Sequence, residues 1–539
     1  MRRESFTTSV YPLSYLGYPM STFHIEQFGC RATQADAAAI ERQLRVQGHD
    51  LASTPTIADV IVVNTCTVTA AADSQARDAI RKLHAANPAA KIIATGCYAQ
   101  RAPEELAGLP GVFHVVGNSH KPEIPDLVTK ISAPNFVPLQ ALSYDEAGGK
   151  NGTATRSYGP GKLGRSDAAP LHEPLPKILT ADIFDRAEFL SAPVLGGEAN
   201  HTRPTLKIQD GCNLRCSYCV IPFVRGKSRS MPPAEVIAEI QRLSVAGYKE
   251  IVLSGINLGT WGRDLTPRVE FEDLLRRILD ETSVVRLRIS SIEPLDVTQD
   301  LIALFAATPR IAQHFHMPLQ SGCDKILAAM HRWYRSEHYA RRIELIRDQL
   351  SDAAIGADVI AGFPGESAED HAATLDFIER RPFTYLHVFS YSVRPGTAAA
   401  QMPDHVPAAT IKERARELRA LSEKKSAAFR ESQLGSTLEV LTLRHTNESN
   451  IAQSGAIEST SGSTAAHLWT PAISTNYLQL RLAGVFQPNQ LLRARIRSHE
   501  NGILHATAET NPEAKLETKP QTKNITNGNF AVHHAASGL

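Results

Sequence analysis

Long apolar runs are missing from this chain: nowhere do about eighteen or more apolar residues follow one another, which argues against a spanning helix and a membrane partner. Pro512 to Leu539 is too polar for a C-terminal anchor. A secretory leader is not expected, because the stretch behind Met1-Arg2-Arg3 is broken by Pro12, Ser14 and Pro19; patterned sequence begins near Thr22, which leaves Met1 and Met20 as alternative starts. Cysteine is scarce, 7 in 539 residues, and the odd, sparse count excludes a disulfide framework, which points to a reducing, cytoplasmic setting. Neither charge is in excess: 57 Lys plus Arg stand against 56 Asp plus Glu, so a polyanionic ligand has to meet a local patch. HExxH and GxSxG are both absent, which leaves zinc-peptidase and serine-hydrolase chemistry without support.

What is present is alternation of short apolar runs with helical stretches, in a chain too long for one core. Phe23 to Phe28, a helix near Ala35 to Gln47, Val60 to Val63, a helix near Asp73 to Ala86 and Ile92 to Ala94 read as βαβαβ, hence a parallel α/β domain over residues 22–133. Residues 134–202, with Gly148-Gly149, Gly159-Pro160-Gly161 and Gly164, read as a linker or insertion. Over residues 203–431 six strand candidates, at Thr205–Gln209, Glu250–Leu253, Val285–Ser290, Gln313–His316, Ala357–Ile360 and Leu386–Ser390, alternate with helices and predict a partial (β/α)6 barrel. Lys412 to Arg430 reads as a basic helix, with a solvated face as its simplest meaning. Residues 432–508 read as a small β domain, from Leu438–Leu443, Tyr477–Leu482 and Leu491–Ile496, interrupted by Ser449–Ala466, and residues 509–539 as a disordered tail. The expected fold class is therefore α/β multidomain.

Three cysteines crowd into eight residues, Cys212-Asn-Leu-Arg-Cys216-Ser-Tyr218-Cys219, just past the first barrel strand. Three thiolates on one tight loop leave a ligand set one short. A structural zinc site normally takes a fourth protein ligand, whereas a [4Fe-4S] cluster on three thiolates keeps one iron open to an external chelator. Cys30, Cys66 and Cys97 each lie just past a strand of the N-terminal sheet, and ends of neighbouring parallel strands open on one crevice. Three such thiols can share a second cluster, although separations this long equally suit buried structural cysteines. Cys323 has no evident partner, and His314 and His316 alternate on a strand as pocket wall or packing.

The CxxxCxxC loop resembles the cluster loop of the radical S-adenosylmethionine superfamily, and with Cys30, Cys66 and Cys97 ahead of it and a small β domain behind it the chain is similar to the methylthiotransferase family. That resemblance implies two [4Fe-4S] clusters, one on Cys212, Cys216 and Cys219 and one on Cys30, Cys66 and Cys97, with S-adenosylmethionine bound at the open iron of the first. It implies homolytic cofactor cleavage to a 5′-deoxyadenosyl radical, with the protein supplying position and exclusion of solvent. The last domain becomes a TRAM-like RNA-binding β-barrel. Cofactor contact is implied for Tyr218, Ser254, Gly255, Ser290, Glu293 and Gly362 of the Gly362-Phe-Pro-Gly365-Glu366 turn, each of which also suits a turn, and Glu293 a helix cap. Gly29-Cys30-Arg-Ala-Thr-Gln34, Arg225-Gly226-Lys-Ser-Arg229-Ser230, Ser254-Gly255-Ile-Asn257-Leu-Gly259 and Ser290-Ser291-Ile-Glu293-Pro294 look most like the branch acting on N6-threonylcarbamoyladenosine at position 37 of tRNA, giving its C2 a methylthio group.

Candidate RNA contacts are Arg225, Lys227 and Arg229 beside the cluster loop and Arg493, Arg495 and Arg497 alternating along one strand, with Tyr477, Phe223 and Trp261 available for stacking. Expected partners are tRNA and an electron donor such as flavodoxin or ferredoxin; the sulfur source is not legible. Three alternatives stand beside this reading: action on another tRNA adenosine, action on a ribosomal protein side chain, and a non-catalytic iron–sulfur RNA-binding protein.

Overall fold

The computed structural model describes residues 21–132, 177–185, 189–194, 202–444 and 469–509. The alternative starts at Met1 and Met20, the interruption at Ser449–Ala466 and the tail after Pro512 lie outside these residues.

The first domain is a six-stranded parallel sheet in the order β2-β1-β3-β4-β5-β6, built from β1 (Thr22–Gln27), β2 (Asp50–Leu51), β3 (Val60–Thr65), β4 (Lys91–Gly96), β5 (Val112–Gly117) and β6 (Ile178–Leu179). β3 is buried at every position, as expected of a parallel strand covered on both faces. The covering helices are α1 (Arg31–Val46), α2 (Ala70–Ala86), the short α3 (Cys97–Arg101) and α4 (Pro103–Ala107), and α5 (Ile124–Ser132). The linker reading of residues 134–202 needs correction at its end: β6 pairs with Val115 and Val116, Leu190 and Ala192 enter the domain core, and Val194 bridges to Thr205. These apolar pieces are too short to carry a period, so only the sheet edge they cover reveals them.

The middle domain contains two three-stranded parallel sheets, β7-β10-β11 and β12-β13-β14, joined by a parallel bridge between Leu287 and Ile311. Their strands are β7 (Thr205–Lys207), β10 (Glu250–Ser254), β11 (Arg286–Ile289), β12 (His314–His316), β13 (Ala354–Ala361) and β14 (Tyr385–Ser390), with a small hairpin of β8 (Gln209–Asp210) and β9 (Arg229–Ser230) between the first two. The crossovers are α6 (Ile221–Arg225), α7 (Pro233–Val245), α8 (Phe271–Glu281), α9 (Gln299–Ala307), α10 (Asp324–Ala329), α11 (Ser336–Gln349) and α12 (Ala368–Glu379). This is the expected partial barrel. The basic helix, α13 (Ala408–Ser432), buries Ala415 and Leu418, and Ser422 and Ser426 bond to backbone around β14. Its cations are largely spent inside the chain, Arg414 on Glu366 at 2.6 Å, Lys424 on Glu379 at 2.7 Å and Arg430 on Glu423 at 3.0 Å, so the solvated-face reading describes it.

The last domain is a closed barrel, β15-β16-β17-β19-β18, from β15 (Thr437–Thr442), β16 (Trp469–Ser474), β17 (Gln479–Ala483), β18 (Leu491–Glu500) and β19 (Ile503–Ala508). It docks on the middle domain through a buried charge cluster. Glu250 accepts from Arg286 at 2.6 Å and Arg288 at 2.8 Å, while Arg288 also donates to the carbonyls of Ser474 and Thr475. Burial by itself would raise the Glu250 carboxyl, but the guanidiniums of Arg288 and Arg286 hold it well below the usual carboxylate range. Glu250→Ala leaves Arg288 buried with no carboxylate and Arg286 with only Glu439 at 3.4 Å, and is expected to cost about 3–5 kcal/mol, read as a lowered midpoint in denaturant unfolding of the full chain.

Candidate active site

The cluster loop begins where β8 ends. Gly211 has φ +72° and a Cβ there would lie 1.9 Å from the Lys227 carbonyl oxygen, so only glycine lets the loop turn against the following segment. Gln209 ties the turn down, donating to the carbonyls of Asp210 and Gly211 and accepting from Asn257 N–H at 2.7 Å. The far side is held by Ser217, whose hydroxyl donates to Ala329 O at 2.8 Å. Burial pushes the Cys212 thiol up to about 11 and the Cys219 thiol up to about 12, with Cys216 beside both adding in the same direction. Arg332, which sequence reasoning missed, donates to Cys216 Sγ at 3.2 Å and pairs with Glu293, and its Nε is buried with no bonding partner. A lone arginine after a short helix carries no sequence signal of such a role.

The implied cofactor contacts gather around this loop. Ser254 and Gly255 lie at the end of β10, Ser290 just past β11, and Glu293 follows, its carboxyl raised by burial against the pull of Arg332. Glu293 makes no cap bond to the turn it precedes. Tyr218 packs on Phe363, with burial holding its hydroxyl well above its usual value. Gly362 directly precedes Phe363 in its turn, and with φ +77° it lies under α13, where a Cβ would meet Ile411 at 2.4 Å.

The second triad gathers at the ends of β1, β3 and β4. Cys30 is exposed and is the N-cap position of α1; Cys66 and Cys97 are buried. Gly29 packs so closely that a Cβ would lie 2.9 Å from Cys66 Sγ. Burial pushes Cys66 up to about 11, and Cys97 and Cys30 both add to the shift. Asn118 Nδ2 lies 3.6 Å from Cys97 Sγ. Cys97 also packs against Val220 and Val224, immediately after Cys219, so the two triads lie on facing edges of two domains.

Between them runs a buried ion network. Asp36 of α1 takes Lys121 at 2.8 Å, Arg225 at 3.1 Å and Lys207; Asp210 takes Arg225 at 2.9 Å and Lys207 at 2.9 Å. Burial opposes ionisation of both carboxyls, yet the surrounding cations hold each well below the usual range. Arg225 is 2% exposed and Arg229 7%, the latter donating to the Arg225 and Lys227 carbonyls. Neither charge reaches a polyanion, which corrects the reading of both as RNA contacts; cationic sequence cannot say whether its counter-ion is a phosphate or a buried aspartate. Arg225 instead faces Cys97 and Cys30 electrostatically, its Nε buried and unbonded.

Lys227, Arg493, Arg495 and Arg497 are exposed. Trp261 is fully buried, donating to Met231 O, and Tyr477 stacks on His314 at 4.2 Å, so neither is a free stacking platform. Phe223 is 47% exposed, and the exposed Arg215 lies over it and Phe184 at 5.8 and 5.1 Å. Cys323 Sγ meets Asp370 at 3.3 Å at the start of α10, apart from both triads.

Profiles of two families match the chain, the Uncharacterized protein family UPF0004 over residues 22–117 and the Radical SAM superfamily over residues 206–378. The chain is 35% identical to the threonylcarbamoyladenosine tRNA methylthiotransferase MtaB of Aquifex aeolicus (strain VF5), covering 78% of this chain and 92% of that one. It is 34% identical to the protein of the same name from Bacillus subtilis (strain 168), covering 80% and 88%, and 32% identical to the tRNA-2-methylthio-N(6)-dimethylallyladenosine synthase of Sphingopyxis alaskensis, covering 78% and 87%. Among solved structures, the radical S-adenosylmethionine methyltransferase TsrM from Kitasatospora setae aligns with a TM-score of 0.48 and 15% identity over 71% of this chain and 77% of that one. Fold, thiol loops and the superfamily match define the class as radical S-adenosylmethionine enzymes, which use a [4Fe-4S] cluster and that cofactor. Within it, the chain belongs to the tRNA methylthiotransferase family. The donor set suits the clusters: two groups of three thiols, each short of a fourth protein ligand.

Because an iron-free thiol reacts only as thiolate, Cys66, Cys212 and Cys219 are expected to resist iodoacetamide near pH 7 and to gain reactivity towards pH 11–12, as their raised pKa values require. Exposed Cys30 should be alkylated first, and peptide mass spectrometry of the apo-protein gives the order.

Proposed function

We propose that this enzyme adds a methylthio group to C2 of N6-threonylcarbamoyladenosine at position 37 of tRNA. The observation that carries the reading is the facing of two thiol triads across one interface, joined through Val220, Val224 and Arg225. The reaction has three parts, hydrogen removal at carbon, sulfur insertion and methylation of that sulfur; the first two call for two such sites within reach of one base, and a second molecule of the sulfonium cofactor donates the methyl group. Cys212, Cys216 and Cys219 hold one cluster and Cys30, Cys66 and Cys97 the other; the first supplies one-electron cleavage of the sulfonium cofactor when bound. Ser254, Gly255, Ser290 and Glu293 position that cofactor, with Tyr218 packing under the loop and Arg332 orienting Glu293. Gly362 shapes the nearby turn.

The choice of nucleoside follows the two relatives named for it, at 35% and 34% identity. A second reading, isopentenyl-type adenosine, is favoured by the relative at 32% named for that nucleoside. Lys227, Arg215 and Phe223 beside the cluster loop, with Arg493, Arg495 and Arg497 on the last barrel, form the RNA surface in this proposal. A flavodoxin or ferredoxin is the proposed reductant, in a cytoplasmic setting; among the described residues no helix is long and apolar enough to cross a membrane.

The test is anaerobic reconstitution followed by assay of 5′-deoxyadenosine and of tRNA nucleosides by mass spectrometry. Cys216→Ala is expected to lose both products. Cys30→Ala is expected to keep 5′-deoxyadenosine and lose the methylthio nucleoside. Equal loss of both in Cys30→Ala, with the first cluster fully loaded, would overturn the division of labour; a methylthio group on isopentenyladenosine alone would overturn the choice of nucleoside.

A further inference from the structure

Inside the half-barrel of β12, β13 and β14 five rings form a ladder. Tyr477, reaching in from the last domain, lies on His314 with centroids 4.2 Å apart and planes 14° apart; Tyr385 follows at 6.0 Å from His314, then His316 at 5.8 Å from Tyr385 and His387 at 4.9 Å from His316. Hydrogen bonds lock it: the Tyr385 hydroxyl meets His314 Nε2 at 2.8 Å and His316 Nδ1 at 3.0 Å, and Asp358 Oδ1 meets His316 Nε2 at 3.0 Å and His387 Nδ1 at 3.3 Å. One end is rooted in the C-terminal barrel. The other opens to solvent at His387, whose side chain is 54% exposed.

The charges along this ladder do not balance. Glu250 is consumed by Arg203, Arg286 and Arg288, and Asp358 by the two histidines. Arg31, the residue after Cys30 and the first of α1, brings a half-buried guanidinium whose field reaches both His314 and Tyr385. Among the described residues Arg31 has neither ion pair nor hydrogen bond. A partly desolvated guanidinium without a carboxylate is costly unless an anion completes it, and its planar fork fits a carboxylate in bidentate fashion. Buried His314, held well below its usual pKa by burial and by Arg288, His316 and Arg31, is neutral and does not compete for that anion.

We infer that Arg31 is the specificity residue of this enzyme: it pairs with a carboxylate on the N6 substituent of the target adenosine, while the ring ladder forms the wall against which that substituent lies. The inference rests on the threonylcarbamoyl reading, since that substituent carries a free carboxylate and an isopentenyl chain carries none. Arg31 also places the carboxylate next to a thiol of the second triad, on the side from which sulfur is inserted in that reading.

The experiment compares synthetic anticodon stem-loops that carry threonylcarbamoyladenosine or its neutral methylamide, with anaerobically reconstituted enzyme, and reads kcat/KM for each. Wild type is expected to prefer the carboxylate by about tenfold to a hundredfold, the range for a charge-assisted bond. Arg31→Gln should bring the ratio near one through KM on the acid alone, and Arg31→Lys should restore part of it. Iron and sulfide counts confirm that Cys30 still holds its cluster; if Arg31→Gln loses it, the same ratio is read as dissociation constants, which need no cluster. A wild-type ratio retained in Arg31→Gln, while wild type modifies the acid stem-loop, overturns the inference and leaves the choice of nucleoside standing. Wild-type turnover confined to an isopentenyladenosine stem-loop overturns both.

Discussion

Two aspartates and three cations, buried where the first domain meets the second, decide where everything else sits. Asp36 follows Cys30 by less than two helical turns, Asp210 precedes Cys212, and Arg225 follows Cys219; Lys121 and Lys207 complete the set. Burying such groups costs several kcal/mol per ion, recovered only when each finds its partners in good geometry. The network therefore has one arrangement in which it is affordable, and that arrangement sets the Cys97 loop against Val220 and Val224. Cations outnumber carboxylates here, and Arg229 adds another at 3.9 Å from Asp210. An anionic cluster on the neighbouring thiols would balance that excess, which gives the charge pattern a direction as well as a shape.

The third domain is held by the same physics with the opposite emphasis. Arg286 and Arg288 rise from β11 to backbone carbonyls of β16 and the turn after it, and Glu250 pairs with both, with Glu439 of β15 adding a longer contact to Arg286. Tyr477, at φ +66°, enters the half-barrel from that turn. The C-terminal barrel is thus an interior wall of the radical domain on one side. On the other it presents Arg493, Arg495 and Arg497, because alternation along β18 sends Ala494 and Ile496 inward and the arginines out.

Much of this was legible before any coordinate. The middle-domain strands fall within a few residues of their apolar runs, because one face of each packs into the core through residues such as Leu206, Ile251, Leu253, Leu287, Ile289, Phe315 and Ile355, and α8 and α12 coincide with their amphipathic stretches. β16 and β19 went unseen, since Trp469–Ser474 and Ile503–Ala508 mix polar with apolar residues at the edge of low-complexity stretches. Asp36 did leave a trace: it stands on the apolar face of α1, between Ala32 and Ile40 one turn to either side, where a carboxylate has to have a buried partner.

Chemistry that depends on neighbours in the chain was thus open to reading: three thiols in eight residues leave a metal ligand set one short wherever they fold. Chemistry that depends on neighbours in space was not. Arg225 and Arg493 look alike as letters, yet one is sealed against Asp36 and Asp210 and the other faces water, because a charge takes whichever counter-ion the packed domains bring to it. Tyr477 found its stacking partner in a histidine of another domain rather than in a base, and Arg332 found a thiol. Local covalent spacing selects the class of reaction; the docking of three domains selects which side chains share the pocket where it happens.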